Sequence, residues 1–312
     1  MTSRSLVHFF KANNQIVLIL MAILCGFTVP NAFRWLTPYT TPMLMVVFFT
    51  SSLRLSFETI VTYAKDWRML VLGAGFKLIV LPLALFVPFS LIDREWGLAL
   101  LIFGAMPIGM SIALVAEFLG GISALALLMT TAVSLVAPFV IPLVINIAIG
   151  TSVDLPVVSM FLSLVQTIVL PFAVAMLIRR FARKNIINHD TAIQRTSLGF
   201  LIVLIATLIA ASASTSIANI AGRDFVILLL AMGWLLTLVA VSYRLTPWRT
   251  PKERVTVALC ILYNNYTLAL YIANKFFPES QAIPKLVLLL LSVNFLLPLF
   301  KWEAHRVLKH AK

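Results

Sequence analysis

Four stretches of this chain carry residues whose types and spacing suit chemistry. Lys77 stands inside the apolar run Gly73-Ala74-Gly75-Phe76-Lys77-Leu78-Ile79-Val80-Leu81-Pro82. The stretch Ala105-Met106-Pro107-Ile108-Gly109-Met110-Ser111 sets a proline and a glycine in the middle of a second run, and Leu262-Tyr263-Asn264-Asn265-Tyr266-Thr267 sets a polar cluster in a third. Glu117 lies ten residues after Pro107, just ahead of Gly120-Gly121. An ammonium, amides, hydroxyls and backbone released by Pro and Gly can hold an ion or a polar solute through hydrogen bonds. They lack the means to break covalent bonds: no nucleophile comes with a base, and there is no catalytic triad, P-loop or metal-ligand spacing, so neither an enzyme nor an ATP-driven pump is expected. His8, His189, His305 and His310 fall in the tails and one loop, while Cys25 and Cys260 fall in apolar runs. No disulfide framework, metal site or cofactor is implied.

The elements that must position these groups are membrane helices. Of 312 residues, 61% are hydrophobic and 11% charged, where soluble domains carry about 25% charged residues. A spanning helix needs about 20 apolar residues, and ten candidate runs are found at 15–33, 39–55, 68–92, 96–119, 122–149, 155–178, 197–218, 224–243, 253–276 and 282–303. A β-barrel is excluded, because runs such as 286–291 are apolar on every face. The first run has no cleavage signal before Asn31 and is read as a retained helix. Ten passes place 18 of the 24 Lys and Arg residues on the side of the N-terminus and five on the other, leaving Lys77 inside a segment. That asymmetry predicts cytoplasmic termini in a cell membrane, bacterial inner or plasma membrane. It also accounts for the net charge of +13 by attraction to anionic lipid, so no nucleic-acid partner is needed.

The basic connection 179–196 divides the ten segments into five and five. An odd number per half inverts the second half, the internal symmetry of many secondary transporters. The fourth segment and its counterpart, the ninth, are both interrupted, at Pro107 and Gly109 and at Asn264 and Asn265. Interrupted helices at matching places point to a substrate cavity, since unwound backbone survives in a bilayer only beside one. A simple proline kink and helix-to-helix Asn bonding are the plainer readings. Lys77 is nine residues into its segment, about 13 Å from the cytoplasmic end. An ammonium near the bilayer centre costs about 2.5–3.5 kcal/mol on insertion scales, so it must face a cavity or a partner. Glu117 suits a proton carrier or counter-ion, and equally a solvated carboxylate near the helix end. Tyr263, Tyr266, Ser111, Asn265 and Asn294 suit an aromatic-walled, hydrogen-bonding cavity, although Asn294 also suits helix-to-helix bonding.

Met106 through Gly109, Thr130-Thr131-Ala132-Val133-Ser134-Leu135-Val136-Ala137-Pro138, the block 77–82 and the block 254–267 together resemble helices three, four, five and nine of the bile acid:sodium symporter family. The resemblance implies an all-α integral membrane fold of ten transmembrane helices in an inverted five-plus-five repeat, with helices 4 and 9 broken and crossing. Along the chain the expected division is 1–184, the first five helices with helix 6 and the start of its cytoplasmic loop, and 185–312, helices 7–10. Functionally it implies a panel domain at about 15–55 and 155–218 and a core domain at about 68–149 and 224–303. Members move small organic anions by alternating access, generally with two sodium ions.

The family's sodium ligands carry over poorly. Its helix-four pattern Pro-Gly-Gly-x-x-Ser-Asn leaves Ile112 and Ala113 at the Ser and Asn positions, and a helix-five hydroxyl position is Ala126, while Thr130 is retained. Its helix-nine pattern Glu-x-x-x-Gln-Asn leaves Cys260 for the carboxylate and Asn264 for the Gln, with Asn265 retained. Hard cations need several oxygen ligands and some negative charge. The remaining family ligand, a Gln five residues before a Pro, is Lys77 here. The expectation is that the Lys77 amine substitutes for the second sodium ion, donating to Asn264, Asn265 and carbonyls freed in helix nine, with Glu117 as a second coupling candidate. Pro107, Ile108, Gly109, Met110, Ser111, Tyr263, Asn264, Asn265, Tyr266 and Asn294 are the expected substrate-binding set. Sodium is not an expected partner, lipid and an organic anion are, and protons join them if the amine gives up its proton during each cycle. The competing readings are a sodium symporter with a reduced ligand set, an arsenite or auxin-efflux type carrier, which Met106, Met110 and the helix-nine position of Cys260 do not favour, and a receptor that binds without transport.

Overall fold

The computed structural model describes residues 14–54, 67–109, 112–150, 155–212 and 221–293. These fold into helices α1 Asn14–Thr28, α2 Thr40–Leu53, α3 Trp67–Ile92, α4 Arg94–Ala105, α5 Ile112–Phe118, α6 Ser123–Ile149, α7 Val157–Asn188, α8 Asp190–Ser212, α9 Gly222–Ser242, α10 Pro251–Leu262, α11 Tyr266–Phe276 and α12 Ala282–Val293. Among the described residues, five helices are long and apolar enough to cross a membrane: α3, α6, α7, most of α8, and α9. The fourth and ninth segments are each split in two, α4 with α5 and α10 with α11. The last run is helical over α12, and its remainder lies outside the described residues.

The chain divides into two compact units, one from 1–54 and 170–217 and the other from 55–169 and 218–312. The helix α7 contributes its first part to the second unit and its remainder to the first. In the first unit, α8 packs on α1 and α2. A methyl group on Gly26 would lie 2.7 Å from the Ala206 carbonyl oxygen, so a side chain there would push α1 and α8 apart. The Arg34 guanidinium donates to the Ala210 carbonyl at 3.1 Å, and the Arg54–Asp190 pair at 2.7 Å joins the ends of α2 and α8. Leu53, Ala175 and Ile186 make a small apolar cluster where α2 meets α7.

The second unit holds the interrupted helices. The connections at one end of it are built by acids that cap helices: Asp93 accepts from the Trp96 amide at 3.0 Å, Asp224 accepts from the Ala221 amide at 2.8 Å and the Trp96 indole at 2.6 Å, and Glu95 accepts from the Gln281 amide at 2.7 Å. These bonds tie the starts of α4, α9 and α12 together and satisfy amides that have no helical partner. The helix α10 begins with a capping box, Thr250 with Glu253, behind Pro251 at its first position.

Among the described residues, two helices contain a wide, π-type turn, Phe76–Val80 in α3 and Val165–Val169 in α7. Each ends two residues before a proline, Pro82 and Pro171. A proline inside a helix has no amide to offer and clashes with the carbonyl four residues back, and widening the preceding turn relieves both problems. Many large side chains on the helix surfaces are outward and apolar, with Leu91 86%, Phe181 80% and Ile147 73% exposed, which suits contact with lipid.

Candidate functional site

The interruption after α4 begins where Met106 turns extended (φ −67°, ψ 144°). Pro107 follows with no amide to offer, so the helix cannot continue through it. The interruption after α10 begins where Tyr263 turns extended (φ −93°, ψ 97°). The two extended segments run antiparallel and bridge at Ile108 and Asn264. The Gly109 amide donates to the Tyr263 carbonyl at 3.0 Å, and the Asn265 amide donates to the Pro107 carbonyl at 2.8 Å. Each interruption therefore satisfies backbone groups of the other, which buried polar backbone requires. A methyl group on Gly109 would come within 2.8 Å of the Tyr263 ring and 3.0 Å of the Asn264 carbonyl oxygen. Only a glycine lets the two segments approach this closely.

Lys77, on the wide turn of α3, is completely buried. Its ammonium donates to the Asn264 side-chain oxygen and, at 3.4 Å, to the Gly104 carbonyl. The Asn264 side-chain amide then donates to the Phe103 carbonyl at 2.8 Å. Phe103 and Gly104 sit in the last turn of α4, where the Phe103 carbonyl also takes a long 3.4 Å bond from the Met106 amide and where the helix end carries partial negative charge. The ammonium is thus matched to the negative end of a half-helix and to an amide oxygen. Among the described residues no carboxylate pairs with it.

Residue types alone point to Lys77 donating to both asparagines and to carbonyls of helix nine. The geometry divides these roles differently. Asn265 turns its oxygen to the Leu268 amide at 3.1 Å and caps α11, so it is committed to its own helix. The carbonyl that receives Lys77 belongs to helix four. The helix-four carbonyls of Phe103 and Gly104 could not have been found from residue types, because backbone acceptors carry no sequence signature.

The positions of the missing family ligands are apolar surroundings here. Ile112 and Ala126 are buried and Ala113 half-buried, without side-chain oxygens, and Cys260 is buried. The Cys260 thiol is an electrostatic neighbour of Lys77. Thr130 keeps its hydroxyl but donates it to the Ala126 carbonyl of its own helix at 2.8 Å. Among the described residues no three His, Cys, Asp or Glu side chains converge as metal ligands.

Tyr263 is half-buried, with its ring over Gly109. The Tyr266 ring packs against Phe103, centroids 5.5 Å apart, and its hydroxyl is buried without a hydrogen-bond partner among the described residues. Pro107 and Ile108 are buried in the crossing itself. Glu117 lies on α5, and its side chain is outside the described set, as are Met110, Ser111 and Asn294 altogether. A further contact had no signal in the sequence: the Thr256 hydroxyl accepts from the Ile122 amide at 2.8 Å and would sit 2.7 Å from a methyl on Gly121. It fixes the turn between α5 and α6 against α10.

Residues 13–293 match the family model described as the SBF-like CPA transporter family. The chain is similar to the uncharacterized sodium-dependent transporter YocS of Bacillus subtilis, 24% identical over 91% of this chain and 88% of that protein. It is also similar to sodium/bile acid cotransporter 7 of Mus musculus, 23% identical over 72% of this chain and 69% of that one. A third relative, the probable chloroplastic sodium/metabolite cotransporter BASS3 of Oryza sativa subsp. japonica, is 25% identical over 82% of this chain and 61% of its own length. With the crossed, interrupted helices and the match over nearly the whole chain, the protein belongs to the SBF-like CPA transporters of the bile acid:sodium symporter family, integral membrane transporters and not enzymes.

Proposed function

We propose that this protein carries small organic anions across the membrane by alternating access and without sodium, the Lys77 ammonium standing in for the second sodium ion of the family. One observation carries this reading: the ammonium is buried at the crossing and donates to Asn264 and to the Gly104 carbonyl. A fixed positive charge there meets the same electrostatic need as a bound cation and repels one. Ile112, Ala113, Ala126 and Cys260 support it, since none offers a hard oxygen from its side chain. The Tyr266 hydroxyl, buried and without a hydrogen-bond partner among the described residues, supports a polar solute beside the crossing.

In this reading Pro107, Ile108, Gly109, Tyr263, Asn264, Asn265 and Tyr266 frame the substrate, joined by Met110, Ser111 and Asn294, with Glu117 as the remaining candidate for coupling. The unit of 1–54 and 170–217 acts as the panel and the unit of 55–169 and 218–312 as the core. The ten segments form the inverted five-plus-five repeat, with both termini cytoplasmic in a cell membrane. If Lys77 keeps its proton throughout the cycle, the carrier is a uniporter or exchanger; if it releases the proton in each cycle, substrate flux is coupled to protons.

Sodium coupling with fewer ligands is the second reading, favoured by the names of the three relatives, each described as sodium-dependent or as a sodium cotransporter. Uptake of labelled taurocholate and of small carboxylates into proteoliposomes separates the two. Equal uptake with sodium or choline outside is expected; uptake that requires an inward sodium gradient overturns the proposal. Repeating the assay under an imposed pH gradient distinguishes proton coupling from uniport or exchange.

A further inference from the structure

Away from the crossing, α11 carries a second lysine in an unusual setting. Lys275, in its last turn, donates to the Ser163 hydroxyl at 3.0 Å and to the Tyr271 hydroxyl at 3.0 Å. The two hydroxyls also bond each other at 2.9 Å. Ser163 and Tyr271 are 4% and 1% exposed, while Lys275 itself is exposed. Other cations of the same unit are matched to acids, Lys285 with Asp224 and Arg223 with Asp93, both at 3.9 Å. Lys275 has neutral hydroxyls in that place, and among the described residues no carboxylate pairs with it.

A lysine at the last turn of a helix ordinarily serves the free carbonyls there. This one is folded back onto two buried oxygens of α7 and α11 instead. An ammonium has three protons. Two are committed to Ser163 and Tyr271, which fixes a flexible side chain in one position, while the exposed amine has no carboxylate partner among the described residues. The rings of Tyr271 and Phe276 lie 5.4 Å and 5.8 Å from the amine and add apolar surface around it.

We propose that Ser163, Tyr271 and Lys275 form a binding site for an anionic oxygen group, carboxylate, sulfonate or phosphate, borne on an apolar body. Lys275 supplies the charge and the two hydroxyls hold it in place. The site is separate from the crossing: Lys275 is nine residues beyond Tyr266, about 13 Å along the helix. A soluble organic anion and an anionic lipid headgroup share this chemistry. The inference does not depend on sodium-independent transport, and its test does not measure transport.

The test is the rate at which an amine-specific acylating reagent modifies Lys275 in the full-length protein, read by peptide mass spectrometry, with exposed Lys184 as the internal standard. One arm uses phosphatidylcholine nanodiscs with naphthalene-2-sulfonate or its neutral analogue 2-naphthol. The other replaces half of the lipid with phosphatidylglycerol and adds no soluble anion. Modification of Lys275 relative to Lys184 should slow about tenfold when the sulfonate exceeds its own Kd by that factor, and 2-naphthol should have no effect. Protection by phosphatidylglycerol alone also supports the site and identifies the headgroup as its source of anion. Ser163→Ala and Tyr271→Phe, checked for unchanged melting, should lose most of the protection. Equal rates with and without anion in both arms, equal protection of Lys184, or full protection in the two variants would overturn the proposal.

Discussion

Lys77 donates to the side-chain oxygen of Asn264, and the amide of the same side chain donates onward to the Phe103 carbonyl, so one asparagine links α3, α10–α11 and the end of α4. Its two ends are matched to opposite needs, an oxygen for the ammonium and a donor for a carbonyl at the end of α4 whose other bond, from the Met106 amide, is long at 3.4 Å. Neither partner can be changed alone without leaving the other unsatisfied.

Lys77→Gln should therefore reduce uptake at least about tenfold, because the charge at the end of α4 is lost even if the amide reaches Asn264. Lys77→Met should in addition lower the melting temperature, since two buried acceptors lose their donor at about 1–3 kcal/mol. Proteoliposome uptake and thermal unfolding in detergent check both. Wild-type uptake by Lys77→Gln would refute the role given to the ammonium.

The coupling between Lys77 and Asn264 should appear in a double-mutant cycle. Asn264→Leu and Lys77→Met each destabilise, and together they should cost less than the sum by about 0.5–3 kcal/mol. Additive losses would mean that the two side chains act independently. The measurement is the shift in unfolding free energy of the four proteins in one detergent.

Gly109→Ala should impair transport severely, because the added methyl would sit 2.8 Å from the Tyr263 ring. Gly233→Ala, where the new methyl meets nothing within 4 Å, should leave transport intact and stabilise slightly, by up to about 1 kcal/mol, through helix propensity. Uptake rates and melting temperatures of the pair separate close packing from a general effect of glycine replacement.

Tyr266→Phe removes a hydroxyl that has no partner among the described residues. Stability should be unchanged or raised, while KM for a transported anion rises by about three- to tenfold as one substrate hydrogen bond is lost. A fall in melting temperature with no change in KM would show that the hydroxyl has a structural partner instead.

Much of this was legible in the sequence because interruptions leave chemical marks. Pro107 and Gly109 announce a place where a helix cannot run straight, and the Asn264-Asn265 pair announces polarity where lipid forbids it. Lys77 stood out because a buried ammonium is too costly to be incidental. What residue types could not reveal was partner choice. Asn264 and Asn265 are identical in kind and adjacent, yet one receives the lysine and the other caps α11, a difference set by where the backbone turns extended. Ser163 gave no warning of its bond to Tyr271, since the two are 108 residues apart. The run at 155–178 is apolar along its length, and α7 supplies residues to both units, a division that apolar periodicity does not record.

The wide turn at Phe76–Val80 holds one residue more than a regular helix would fit into the same rise. That surplus advances the screw of the helix by about 100° for everything beyond it, so the faces of α3 before and after the turn are out of phase. Lys77 is the second residue of that stretch, and its aim toward Asn264 is a property of this phase as much as of the lysine. Deleting one residue between the turn and Pro82 would return the helix to even pitch and swing its two faces out of their present alignment. A lysine grafted at the same place in a relative whose third helix winds evenly would carry the charge without the bearing.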